Sequence, residues 1–267
     1  MQQEKNAMND RWAVHRYLAG QMDGRLEILT RTPKHILLAG ADGDASRWLL
    51  AARYPQASFA EYDPRRAFLD EAAEKRGGGW LSRLAGKTVP QHCQKASAPL
   101  PEAQADMLWA NLSLITEDNP QPVLDSWAQA LKADGLLFFS HFGAGSLPEI
   151  RALLAERGIA CAAQPFADMH DLGDMLFERH FYDPITDTAN LVLDYQSAGT
   201  FWQDMDTLGL WRALQPENEA AAHAVLDEAL AAGALPSVTL EVLFGHAVKK
   251  LVLPENENVV RFFPKAQ

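Results

Sequence analysis

The 267-residue chain predicts an α/β fold: a mostly parallel, twisted sheet with helices on both faces and a small helical insertion before the last strands. Three observations predict it. Short apolar runs alternate with amphipathic helical segments up to residue 158. Two of those runs, HILLA (35–39) and GLLFFSHF (135–142), are apolar at successive positions, as strands buried on both faces are. The first run also passes directly into a glycine-bearing loop, AGADGDAS (39–46), and then a helix. In such sheets ligands sit at the carboxyl ends of the strands.

Each element has its own signal. Trp12, Tyr17, Leu18, Met22, Leu26 and Leu29 lie near helical spacing and predict one or two helices over 10–33, ended by Thr32-Pro33. After HILLA comes a helix over Ser46–Tyr54, then the strand ASFAEY (57–62). The next helix, Pro64–Lys75, opens on a proline, whose missing N–H is harmless in the first turn. Gly77-Gly78-Gly79 breaks the pattern, and TVPQHC (88–93) reads as a strand weakened by Pro90. ADMLWAN (105–111) is a strand, Pro120–Leu131 a helix, and the turn Asp134-Gly135 introduces GLLFFSHF. Ser146–Arg157 is a helix stopped by Gly158. Further on, Asp168–His180, Ser197–Leu208 and Glu217–Ala232 read as helices, NLVLDY (190–195) as an alternating strand, and VTLEVLFGHAVKK (238–250) as a long final strand. The organisation expected is a helical lid over 1–34, a core over 35–158, an insertion with the last strands over 159–250, and a loosely attached tail over 251–267.

Composition narrows the function. A net charge of −11 opposes binding to phosphate backbones, so no nucleic-acid role is expected. MQQEKNAMNDRW lacks the apolar stretch of a signal peptide, and no apolar run approaches the length of a membrane span. A cytoplasmic location follows as the expectation, with no membrane partner. Cys93 and Cys161 show no metal-site spacing and are expected to be reduced, buried thiols. No metal site is expected.

The segment DMLWANLSLITEDNPQPVLDSWAQALKADGLLFFSHFGAGSLPEIR (106–151) resembles the fourth-to-fifth-strand region of class I S-adenosyl-L-methionine (SAM) methyltransferases, which have a Rossmann-like fold. PFADMHDLGDMLFERHFYDPITD (165–187) and TLEVLFGHAVK (239–249) narrow the resemblance to the BioC type, the malonyl-acyl-carrier-protein O-methyltransferases of biotin synthesis. The resemblance covers roughly residues 10–250. It implies SAM as cofactor and an acyl carrier protein bearing a malonyl thioester as partner. A mitochondrial complex I assembly factor associated with arginine hydroxylation shares many of these features.

The same resemblance assigns candidate site residues. The family loop is of the type Asp-x-Gly-x-Gly-x-Gly. Gly40 keeps its first glycine and Gly43 lies inside it, whereas Leu38 replaces the acid and Asp42 and Asp44 replace the second and third glycines. One aspartate has a use against the SAM ammonium, and Asp44 also suits a helix N-cap. Asp63, with Glu61 as the alternative, is the acid for the ribose hydroxyls. Ala96 stands where an adenine-contacting acid is expected, leaving Ser97 as a weaker contact. Asn111 and Leu112 belong beside the transferred methyl group, and Tyr17 covers the pocket, so Tyr17 and Asn111 are the catalytic candidates. His170, Arg151, Arg179 and Arg212 are candidates for the substrate entrance and its carboxylate. The losses at Leu38, Asp42, Asp44 and Ala96 raise a competing expectation, a non-catalytic methyltransferase-like protein that binds a partner.

Overall fold

The computed structural model describes residues 10–28, 31–77 and 89–250. Leu29, Gly78, Gly79, Thr88 and the 251–267 tail lie outside the described residues. Among those described, one sheet of seven strands runs in the order β3-β2-β1-β4-β5-β7-β6. The strands are β1 (His35–Ala39), β2 (Ser58–Asp63), β3 (Gln91–Cys93), β4 (Ala105–Asn111), β5 (Leu131–Phe142), β6 (Phe181–Asp194) and β7 (Ser237–Lys249). Pairing is parallel through β5; β7 then runs antiparallel to both β5 and β6.

The helices are α1 (Ala13–Gly24), α2 (Ala45–Arg53), α3 (Arg66–Arg76), α4 (Gln121–Ala130), α5 (Pro148–Glu156), α6 (Met169–Glu178), α7 (Ala198–Thr207), α8 (Leu210–Leu214) and α9 (Glu219–Ala231). The central strands carry apolar residues at consecutive positions because both faces are covered. Ile36, Leu38, Met107, Trp109 and Phe138 join one core. Their neighbours Leu37, Ala39, Leu108, Leu137 and Phe139 join the other. Parallel sheets buried this way draw their stability from continuous apolar runs.

Two strands depart from the sequence reading. β5 begins at Leu131, four residues before Gly135, since Leu131 still pairs with Ala105 across an irregularity in β4. β6 starts at Phe181 rather than Asn190, with a register shift between Tyr182 and Ile185. As the sheet's edge strand it tolerates Pro184, whose absent N–H would break a central ladder. The thiols differ too: Cys93 is exposed and Cys161 partly so. β3 is at the other edge of the sheet, so its side chains have cover from only one neighbour.

Gly245 makes the β5–β7 contact possible. A Cβ there would stand 2.1 Å from the Phe139 ring, which is fully buried. Gly245→Ala is therefore expected to lower the thermal midpoint by several degrees, an overpacking cost of about 2 kcal/mol or more. A melting curve followed by circular dichroism checks it.

Candidate cofactor cleft and active site

The carboxyl ends of β1, β2 and β4 converge, and each delivers one residue that the chain cannot easily exchange. Gly40 directly follows β1 at φ +97°, and its N–H donates to the Tyr62 carbonyl at 2.8 Å. A Cβ there would lie 3.0 Å from the Asn111 carbonyl oxygen, so only glycine lets the first loop cross the end of β4. Asp63 ends β2, fully buried. Its carboxylate accepts the Ala41 N–H (2.9 Å) and the Arg65 N–H (2.6 Å). Asn111 ends β4; its Nδ2 donates to the His15 carbonyl (2.9 Å) and to Asp42 (2.8 Å), and its Oδ1 accepts from the Ser140 hydroxyl (2.9 Å). Leu112, at φ +58°, uses its N–H on Ser140.

The two loop aspartates divide their work differently from the expectation. Asp44 occupies the N-cap position of α2 but makes no capping bond; its carboxylate takes Arg47 Nε (2.8 Å) and faces Arg76 (3.4 Å). Asp42 does the capping instead. It accepts the Ser46 N–H at 3.2 Å and the Ser46 hydroxyl, and so meets the positive end of α2 with its own charge. Burial pushes its carboxyl up from the usual range, Asp44 adds to the push, and the bonds from Ser46 and Asn111 oppose it. Glu61, the alternative to Asp63, is committed to Arg76 (2.6 Å) and Gln91 (2.7 Å) on the β3 side.

Three residues that sequence reasoning did not place in the site complete it. The Trp12 indole lies on Gly43, where a Cβ would come within 2.6 Å of the ring. His15 packs edge-on against Trp12 at 5.2 Å and is 1% exposed. Burial, with Arg65 and Arg11 nearby, holds its imidazole neutral, down to about 3. Arg65 grips Asp63 through Nε and Nη2, both at 3.0 Å. A usable signal for His15 lay in the sequence: with Leu18, Ala19 and Met22 it falls on the buried stripe of α1, and Tyr17 falls off it. Tyr17 is 49% exposed, on the solvent side of the helix.

The remaining candidates scatter. Ser97 gives its N–H and hydroxyl to Glu117, 3.4 and 3.2 Å away. Ala96 and Ser113 line a shallow depression with Gly40 and Tyr62, beside the end of β1. Exposed His170 bonds its own N-cap, Asp168. Arg179 is tied to Asp125 on α4, and Arg212 to Asp118 and the Ile115 carbonyl. Arg151 is different. One nitrogen donates to the Ala144 carbonyl (2.9 Å), its guanidinium lies over Phe166, and Nε and Nη2 are buried without a partner among the described residues.

The buried acids of the cleft fit SAM: Asp63 would be the acceptor for the ribose hydroxyls, and Asp42 is a buried acid whose charged form a ligand ammonium would stabilise. His15 Nδ1, Ser113 Oγ and Thr207 Oγ1 are buried without hydrogen-bond partners among the described residues. Such orphaned atoms are costly unless something meets them.

Residues 38–139 match the Methyltransferase domain family. The malonyl-[acyl-carrier protein] O-methyltransferase of Laribacter hongkongensis is 30% identical over 97% of this chain and 93% of its own length. The enzyme of the same name from Gallionella capsiferriformans is 29% identical over 88% and 84%. Among solved structures, the YcgJ protein of Bacillus subtilis shares the fold at a TM-score of 0.56 and 14% identity, covering 88% of this chain and 99% of that one. So does phosphoethanolamine N-methyltransferase 2 of Haemonchus contortus, solved with SAM, at 0.56 and 11%, covering 88% and 53%. The cofactor of this methyltransferase fold is SAM. The chain belongs to the malonyl-[acyl-carrier protein] O-methyltransferase family.

Proposed function

We propose that this protein transfers a methyl group from SAM to the free carboxylate of a malonyl thioester carried on an acyl carrier protein. The observation that carries the reading is the convergence of Gly40, Asp42, Asp63 and Asn111 at the ends of β1, β2 and β4 in a chain of this family. When bound, SAM supplies an electrophilic methyl group on a sulfonium. Asp63 would hold the ribose hydroxyls and Asp42 the ammonium. Asn111, braced by Ser140, fixes the loop after β4, and Trp12 and His15 keep water out.

No general base is needed, because a carboxylate acceptor is already ionised at neutral pH. The rate then depends on alignment and on stripping water from that carboxylate. Arg151 is the group best supported for anchoring the acceptor side: it lies past the end of β5, and two of its nitrogens are buried without partners among the described residues. Arg179 and Arg212 are already paired, and His170 stands in solvent.

The test is transfer of radiolabelled methyl from SAM to malonyl-acyl carrier protein, with acetyl-acyl carrier protein as the control. Label on the malonyl form alone is expected; label on neither ends the proposal. Arg151→Met is expected to raise KM for the carrier substrate about tenfold or more, since a charge-assisted bond to a carboxylate is worth about 1.5–3 kcal/mol. An unchanged KM removes Arg151 from the site. One observation favours a non-catalytic, partner-binding role instead: Asp42 itself takes the Ser46 N–H at the start of α2, where the SAM carboxylate would be received.

A further inference from the structure

Asp63 carries two loads that cannot be carried together. For the proposed reaction its carboxylate must accept from the ribose hydroxyls. In the structure both of its oxygens are taken: Oδ1 by Arg65 N–H and Nε, Oδ2 by Ala41 N–H and Arg65 Nη2. The two backbone donors belong to the loops that shape the cleft. The guanidinium is different, because it is a side chain and can leave.

Arg65 is also held from two other directions. Its guanidinium lies 3.8 Å from the centre of the Phe68 ring, one turn along α3. Its remaining nitrogen, Nη1, donates to the Thr207 carbonyl at 3.3 Å. Thr207 is the last residue of α7, in the insertion between β6 and β7, where a helix end carries negative partial charge. One side chain therefore joins the ribose acid of the core to the insertion, across the cleft. The Thr207 hydroxyl is buried and makes no hydrogen bond among the described residues.

We propose that Arg65 is an intramolecular competitor for the ribose hydroxyls at Asp63, and that its contact with Thr207 makes cofactor entry and release of the α7 insertion a single event. The inference rests on the SAM reading of this site. When Arg65 holds Asp63, the hydroxyls have no acceptor. When a ligand takes Asp63, the guanidinium turns out to solvent and loses Thr207, freeing the insertion to admit the second substrate. Apparent affinity is then reduced by the fraction of molecules with the latch open.

Arg65→Met keeps an unbranched stem over Phe68 and removes the fork. Calorimetric titration with S-adenosylhomocysteine is expected to show about tenfold tighter binding than wild type, as removing a latch closed nine-tenths of the time would give. The ligand-free variant is expected to melt lower than wild type, and the ligand to raise its midpoint more. Arg65→Lys, which keeps the charge without the fork, is the second variant should the first not fold, with tightening of about threefold. Wild-type affinity in the variant that folds overturns the proposal, and weaker binding overturns it by making Arg65 a cofactor contact. If neither variant nor wild type binds, the SAM reading of the site fails and the latch with it.

Discussion

Asp63→Ala is expected to weaken SAM binding by about two to four orders of magnitude. Two hydroxyl bonds to a charged acceptor are at stake, each worth about 1.5–3 kcal/mol. Asp63→Asn keeps one acceptor oxygen and loses the charge, so it should fall between. The same substitution has a structural cost, because Asp63 also receives the Ala41 N–H and pairs with Arg65. Arg65 is 25% exposed and water recovers part of its charge, so the expected loss of stability is about 2 kcal/mol rather than the value for a fully buried pair. Calorimetry on protein shown by circular dichroism to be folded separates the two effects. Asp63→Ala that binds SAM like wild type would remove Asp63 from the ribose site.

The two buried histidines, His15 and His141, are together expected to cost about 4 kcal/mol of stability on acidification from pH 7 to pH 5. His15 and His141 are both fully buried, and burial depresses their imidazoles to about 3 and about 4. In the unfolded chain each titrates near 6.5. Below that value the unfolded state binds the extra proton and the folded state does not. Stability is therefore fully present above pH 6.5 and falls as the pH drops towards the folded values, by about 2 kcal/mol per histidine at pH 5. Asp42 and Glu61, pushed up by burial, act in the opposite sense as the pH falls and reduce the slope. Urea denaturation at intervals between pH 7.5 and 5 measures it. His141→Gln, which can still donate to the Pro165 carbonyl, should remove about half the histidine contribution. A slope unchanged in His141→Gln would show that His141 is not the titrating group.

The fold was legible where burial is symmetric. β1, β4 and β5 are apolar at consecutive positions because helices cover both faces, and that pattern needs no partner to be read. β6 was legible only from Asn190 onwards. Its earlier part, FYDPITDTA, includes a proline and polar residues that an edge strand tolerates, so local composition concealed a strand that pairing with β7 alone creates. In the site, Gly40, Asp63 and Asn111 could be found because each lies at the end of a strand. Trp12, His15 and Arg65 could not be found that way, since tertiary packing brings them there: α1 lies across the first loop, and Arg65 folds back on Asp63. The exchange of roles between Asp42 and Asp44 was equally hidden, because Asp44 takes the left-handed conformation at φ +72° and turns its side chain to Arg47. The pairing that makes Arg179 and Arg212 poor anchors also comes from contacts distant in sequence.

The direct test of whether this altered cleft is a working cofactor site is calorimetric titration of the purified wild-type protein with SAM. Binding in the micromolar range, about −8 kcal/mol, with stoichiometry near one, is the result the account predicts. Absence of heat and of any thermal stabilisation at millimolar SAM would contradict it.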